Sequence, residues 1–517
     1  MKTDLDLKRK IGQLLMFGFD ATTINEHAIH MIRDLKIGNV ILFTRNIESP
    51  KQLHGLTSDL QELALKHIGI PLFIAIDQEG GMVTRIRKGG TFFPGAMTIS
   101  ATKDPEHATW VGETMGKELA LLGINVDFAP VLDINIDPRN PVIGVRSYAD
   151  DEEKVALFGS AFIKGLQKHV IATAKHFPGH GDTHLDSHLA LPYIDVDRRR
   201  LDRVELYPFR VAIREGVQAI MSSHIVFKAL DNRFPATLSS SILTDLLRDE
   251  LGFAGLIFTD CLQMKAIQNT YTTPRAAVMA VRAGANVMCI CHSEHLQEGA
   301  QNEIMRAVRD QELSTSLIDE RVARVLGYKA SLEPFAYSES DVRNGVGTKA
   351  ARNKSEAIVK RAVTRVKGKP FRLKNRALLI GIIPEATSIA DETGGTIDFY
   401  DRLKQALPSL DVLAFAPGIG QQDIDIASSR AEDYDQVVLC TYNANTDRGQ
   451  QELIERVVSL EVEHHVIAMR NPYDLVFVPE IANYVCFYEN TPNALEALID
   501  YLKGTLVPEG RLPIIHE

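Results

Sequence analysis

Residues 171–192 read Ile-Ala-Thr-Ala-Lys-His-Phe-Pro-Gly-His-Gly-Asp-Thr-His-Leu-Asp-Ser-His-Leu-Ala-Leu-Pro. A short apolar run stops at Lys175 and His176 and gives way to a loop of glycine, histidine and aspartate. Such a run, bounded by turn residues, has the length of a buried strand. Seven more share the pattern: Leu14–Phe19, Val40–Phe43, Leu72–Asp77, Val126–Pro130, Ala219–His224, Leu256–Asp260 and Val287–Cys291. Segments of helical periodicity separate them. Eight strands alternating with helices predict a (β/α)₈ barrel, with a doubly wound sheet as the alternative. The count of eight favours the barrel. So do the polar residues gathered at the C-terminal ends of the runs, where barrel active sites lie.

Outward from this barrel of residues 1–330, the strand pattern lapses between Ala330 and Pro370. Residues 331–370 read as a partly helical connection. Alternation then resumes in Ala377–Ile383, Val412–Ala416, Gln436–Tyr442, His465–Met469 and Tyr484–Tyr488, which predicts a smaller α/β domain over 371–517. Its first strand is not followed by a Gly-x-Gly-x-x-Gly turn, so no dinucleotide cofactor is expected.

The chain has 517 residues, 45% hydrophobic and 24% charged, with a net charge of −10. That balance offers no electrostatic footprint for nucleic acid and disfavours anionic membranes. No apolar run approaches the ~20 residues that span a bilayer. The opening Met-Lys-Thr-Asp-Leu-Asp alternates charge where a signal peptide needs an apolar core. Five scattered cysteines suit reduced thiols, and the expected compartment is the cytoplasm. Cys289 and Cys291, two apart in an apolar run, are expected on one face of a buried strand. Nothing in the pattern specifies an oligomeric state.

Four histidines, His176, His180, His184 and His188, recur at intervals of four. On a helix they would stack as a metal comb. Pro178, Gly179 and Gly181 break any such helix, so the segment reads as a loop and no metal is expected. Two Asp-x-His units remain, Asp182/His184 and Asp186/His188, and either could form an acid/base dyad. A barrel gathers the strand ends around one mouth: Asp77, Arg146, Lys175, His176, His224 and Asp260. Carboxylates, a guanidinium and imidazoles around one cavity suit a polyhydroxylated ligand, which needs both donors and acceptors.

Asp77-Gln-Glu-Gly-Gly, Lys175-His-Phe-Pro-Gly-His-Gly and Thr259-Asp260-x-Leu-x-Met264 resemble glycoside hydrolase family 3. Asp186-Ser-His188 resembles its β-N-acetylglucosaminidase branch. The likeness extends into the second domain through Arg470-Asn-Pro-Tyr-Asp474 and Pro508-Glu-Gly-Arg-Leu-Pro513. It implies Asp260 as nucleophile and His188 as acid/base, oriented by Asp186. Asp77, Arg146, Lys175 and His176 would hold a terminal N-acetylglucosamine, with His224 a further candidate. The resemblance, not the spacing, selects Asp186/His188 over Asp182/His184. Cys261 departs from the family pattern, where Asp or a small residue follows the nucleophile. Attack by the substrate's own acetamide would need a second acidic side chain, and Cys261 stands beside Asp260 instead.

The implied function is a retaining exo-β-N-acetylglucosaminidase acting without a cofactor on small saccharides, specifically muropeptides of cell-wall recycling. The alternatives are a β-N-acetylglucosaminide phosphorylase using the same dyad, a β-glucosidase, or a non-catalytic saccharide-binding protein.

Overall fold

The computed structural model describes residues 5–183, 191–332, 337–384 and 399–515. All eight predicted runs form strands: β1 Leu15–Phe17, β2 Asn39–Leu42, β3 Phe73–Ile76, β4 Val126–Asp127, β5 Ile171–Phe177, β6 Ala219–Ser222, β7 Leu256–Thr259 and β8 Met288–Ile290. They pair in parallel in the order β8-β1-β2-β3-β4-β5-β6-β7. A parallel bridge from Phe258 to Val287 joins β7 to the start of β8 and closes the ring. The fold is therefore a TIM-type barrel, and the doubly wound alternative is excluded.

Aromatic side chains fill the barrel's interior. Phe128 meets Phe258 edge-on with ring centroids 5.2 Å apart, and Phe73 lies 6.5 Å from Phe258. Outside, the helices sit close. Pro105–Leu121 and Glu152–Leu166 pack through glycines, because a Cβ on Gly112 would lie 2.3 Å from the Phe162 carbonyl oxygen. Only a residue without a side chain permits that approach. Both helices begin on an aspartate whose carboxylate accepts a backbone N–H of the first turn, Asp104 from Glu106 and Asp151 from Lys154.

The second domain carries a six-stranded sheet: β9 Thr364–Lys367, β10 Ala377–Ile382, β11 Asp411–Phe415, β12 Gln436–Thr441, β13 Glu463–Ala468 and β14 Tyr484–Cys486. The order is β9-β14-β13-β12-β10-β11, parallel except for β9 against β14. Its central strands β10 and β12 are buried along their whole length because both faces are covered. Val437 and Leu439 join one core, Val438 and Cys440 the other. Residues 331–370, expected as a connection, contain helices Glu339–Gly345 and Lys349–Ala362 and the edge strand β9.

The second domain meets the barrel at the C-terminal ends of its strands. Contacts run from Asn471 to Val145, from Tyr473 to Asn135 and from Glu489 to Gly95. Beyond the histidine loop, Tyr193–Ile194 pairs in parallel with Val226–Phe227, tying the chain to the segment that follows β6. Among the described residues no helix is long and apolar enough to cross a membrane.

Candidate active site

Strand β3 delivers Asp77 and Glu79 to the mouth, and β5 delivers Lys175. Lys175 Nζ donates to Asp77 Oδ1 at 2.8 Å and lies 2.7 Å from Glu79 Oε1. Arg146, at the end of a short 3₁₀ turn, grips Glu79 with two bonds, Nε to Oε2 at 2.9 Å and Nη2 to Oε1 at 2.7 Å. Burial opposes ionisation of Glu79, but Arg146 and Lys175 outweigh it and hold its carboxyl far below the usual range. Lys175 answers in kind. Burial disfavours its charge, yet Asp77 and Glu79 raise its pKa above the ordinary lysine value. The result is a buried network of fixed charges, with bidentate guanidinium geometry at its centre.

Asp260 follows the last residue of β7. Its Oδ1 accepts the Cys261 N–H at 2.7 Å. Burial pushes this carboxyl up, while His224, His176, the Cys261 N–H and Lys175 together push it down further, so its pKa ends below the ordinary value. It is an ionised carboxylate on a cavity wall, the state a nucleophile requires. His224 sits behind it. Its Nε2 meets the Cys261 carbonyl at 3.0 Å and its Nδ1 meets Thr237 Oγ1 at 2.9 Å. The ring is thus held against the backbone of the residue after Asp260, and it does not line the cavity.

His176 is fixed from below by Asp133. The ring Nδ1 lies 2.7 Å from Asp133 Oδ2, and the other carboxylate oxygen accepts the backbone N–H groups of His176 and His180 at 3.1 and 2.8 Å. Burial raises the Asp133 carboxyl, but His176 and its hydrogen bonds prevail and leave it below its usual pKa. An ionised Asp133 accepts at both oxygens, so Nδ1 of His176 donates to it, and among the described residues no hydrogen bond engages Nε2. His180 packs edge-on to His176, and burial lowers its pKa to about 4, leaving a neutral ring.

These side chains surround a cavity of about 150 Å³. Asp77, Arg85, Arg146, Lys175, His176 and Asp260 form its polar wall, with Phe128, Met221 and Met264 on the apolar side. Five of the six mouth residues expected from the sequence line one cavity, and His224 stands behind it. Asp186 and His188, with His184, lie outside the described residues. Asp182 is described, and its carboxylate pairs with Arg200 at 3.1 Å. Among the described residues no group of three or more His, Cys, Asp or Glu side chains could hold a metal ion.

Sequence reasoning left out Arg85 and Asp133 and gave Glu79 no committed role. Arg85 is 2% exposed and lies 3.7 Å from Asp77 Oδ2. It reaches the wall because the chain after Glu79 doubles back through a Gly80–Val83 bridge. The signal for Asp133 was present, an acidic residue just past a strand's C-terminal end. Cys289 and Cys291 both line the cavity, on one face as expected.

The glycosyl hydrolase family 3 N-terminal domain model matches residues 6–328. The β-hexosaminidase A of Pseudoalteromonas piscicida is 33% identical over 428 residues, 78% of this chain and 72% of that protein. A β-hexosaminidase of Nitrosomonas eutropha is 37% identical over 285 residues, 54% of this chain and 80% of its own. Among solved structures, a family 3 β-N-acetylglucosaminidase from Paenibacillus sp. FPU-7 is 37% identical, with a TM-score of 0.91 over 99% of both chains. With an ionised carboxylate on a charged, sugar-sized recess at the barrel mouth, these likenesses give one conclusion: the chain belongs to glycosyl hydrolase family 3 and is a glycoside hydrolase.

Proposed function

We propose that this enzyme is a β-N-acetylhexosaminidase that removes terminal β-linked N-acetylglucosamine with retention of configuration. The observation that carries the reading is Asp260, held ionised on the wall of a cavity whose other polar groups are fixed in pairs. In the first step Asp260 attacks the anomeric carbon as His188 protonates the departing glycosidic oxygen, leaving a glycosyl ester. In the second, the neutral His188 takes a proton from water, which attacks the same carbon and frees Asp260. Asp186 would orient the imidazole and favour its protonated form, as a carboxylate does in hydrolase triads. Asp77, Arg85, Arg146, Lys175 and His176 would receive the sugar hydroxyls. His224 would act on the carbonyl beside Asp260. The names of the relatives support the N-acetyl sugar, and muropeptide fragments of cell-wall recycling in the cytoplasm are the proposed natural substrates.

The test is hydrolysis of 4-nitrophenyl N-acetyl-β-D-glucosaminide against the matching glucoside, with NMR of the first anomer released. Turnover of the N-acetyl substrate to the β-anomer, nearly abolished in Asp260→Ala with an unchanged melting curve, is expected. An α-anomer first would overturn retention, and preference for the glucoside would overturn the substrate. His188→Ala should slow turnover by ~10²–10⁴-fold, the range of acid/base groups, and His184→Ala much less. The reverse ranking would move the dyad to Asp182 and His184. Adding phosphate should leave N-acetylglucosamine as product; its 1-phosphate would identify a phosphorylase. N-acetylglucosamine should also be released from a disaccharide–peptide fragment; none released, with the aryl substrate still turned over, would overturn the muropeptide assignment alone.

A further inference from the structure

The Glu79–Arg146 pair joins two barrel loops, and the second domain holds each of them by a different side chain. On the Arg146 side, Asn471 Oδ1 accepts the Val145 N–H at 3.0 Å. Gly144 turns at φ +47°, and a Cβ there would fall 2.2 Å from Asn471 Oδ1. The Gly144 N–H donates to Asn135 Oδ1 at 2.9 Å, and Asn135 Nδ2 donates to the Tyr473 hydroxyl at 2.5 Å. The turn Gly144–Arg146 is therefore gripped directly by Asn471 and, through Asn135, by Tyr473.

On the Glu79 side, Glu489 Oε2 accepts the Gly95 N–H at 2.9 Å and the Thr98 hydroxyl at 2.7 Å. Gly95 in turn packs on Gly81, two residues beyond Glu79, where an added Cβ would lie 2.8 Å from Gly95 Cα. Asn135, Asn471, Tyr473 and Glu489 are all buried, and none of them lines the substrate cavity. They cannot act on a sugar by touching it.

We propose that Asn471 is a positioning residue for substrate binding. It fixes the Val145 amide, so that the adjacent Arg146 meets both Glu79 and the ligand, and the second domain thereby sets the geometry of a wall built from barrel side chains. This inference rests on the reading of Arg146 as a sugar-binding residue. The requirement at position 471 is a hydrogen-bond acceptor for a buried N–H, since leaving that N–H unpaired would displace the turn. A shift of about 1 Å in a binding group can lower activity ~10²-fold.

The experiment is steady-state kinetics on 4-nitrophenyl N-acetyl-β-D-glucosaminide, with melting curves, for the full chain and five variants: Asn471→Leu, Asn471→Asp, Arg146→Lys, the Asn471→Leu/Arg146→Lys double variant, and Tyr473→Phe. Asn471→Leu should raise KM by about tenfold or more with kcat little changed, since a misplaced arginine weakens uniform binding. Asn471→Asp keeps the acceptor and should restore most of the affinity. The double variant should be no weaker than Arg146→Lys alone, because both substitutions remove one function. An unchanged KM in Asn471→Leu, equal damage in Asn471→Asp, or additive losses would each overturn the proposal. If Asn471→Leu does not fold, Tyr473→Phe decides, since it removes only the hydroxyl beneath Asn135: a raised KM supports the brace and an unchanged one overturns it. If Arg146→Lys itself leaves KM unchanged, the sugar-binding reading of Arg146 fails, and the inference with it. That outcome is distinct from failure of the brace, in which Arg146→Lys matters and Asn471 does not.

Discussion

Lys175 and Lys329 are 2% and 1% exposed at opposite ends of one barrel, yet their surroundings act on them in opposite directions. At the mouth, Lys175 has two carboxylates, and its pKa rises. At the base, Lys329 Nζ donates to Gln13 Oε1 at 2.7 Å and to the Gly38 carbonyl at 2.6 Å, with the Phe73 ring centroid 5.0 Å away. Among the described residues no carboxylate pairs with it, and burial lowers its pKa well below the ordinary value. The same side chain has its charge favoured by two carboxylates at the mouth and disfavoured by burial at the base. This is the division between the two faces of a barrel, catalysis at the C-terminal end and stability at the other.

The comparison breaks most visibly at Lys175. Lys175→Met leaves Asp77 and Glu79 with less compensation, so it should cost about 3–5 kcal/mol of stability and most of the activity. Wild-type binding of an N-acetylglucosamine inhibitor in that variant would remove Lys175 from the site.

Lys329→Met tests the other end. Activity should stay close to wild type, and the informative quantity is the pH dependence of the stability difference. Between the lowered folded pKa of Lys329 and the reference lysine value of about 10.4, the folded chain binds fewer protons than the unfolded chain. Wild-type stability relative to Lys329→Met should therefore climb as pH rises from neutral toward that value. Denaturant melts at three pH values would show it, and a flat difference would mean that Lys329 is charged. For Lys175 the sign is opposite. Its folded pKa lies above the unfolded one, so its contribution is intact up to the unfolded pKa and is lost only as pH rises through the folded value.

The smallest effect concerns reagents. Of the five cysteines, Cys261 is partly exposed and the other four are buried. A small alkylating agent should consume about one thiol per native chain and block turnover, since Cys261 lines the cavity beside Asp260. Turnover in Cys261→Ser should resist the same treatment. Loss of activity in that variant would point to one of the buried thiols.

The barrel was legible because each strand lies in a short, mostly apolar run, buried on both faces, with polar residues at or just beyond its end. Strand β9 was not. Thr364–Lys367 is four residues long, carries Arg365 and Lys367, and lies at the sheet's edge, where charge is retained against pairing with another chain. Within the site, strand ends located Asp77, Lys175, His176 and Asp260. The rule failed for Arg85, which returns to the wall eight residues after Asp77 through a fold of the loop. For His224 it pointed to a ring that meets Thr237 and the Cys261 carbonyl, outside the cavity lining. Asp186 and His188 rest on motif likeness, because spacing alone left two dyads open.

The closure of the ring also fixes when the site can exist. Strand β1 pairs with β8, setting Leu15 opposite Met288, so the first strand waits for the last before its free edge is covered. Pairings so distant in sequence form late, and a growing chain carries an open sheet edge until then. The turn bearing Arg146 is completed later still, since the Val145 N–H finds Asn471 only once the second domain has folded. A ribosome-bound chain truncated within the barrel should hold most of the residues of the site and none of its affinity.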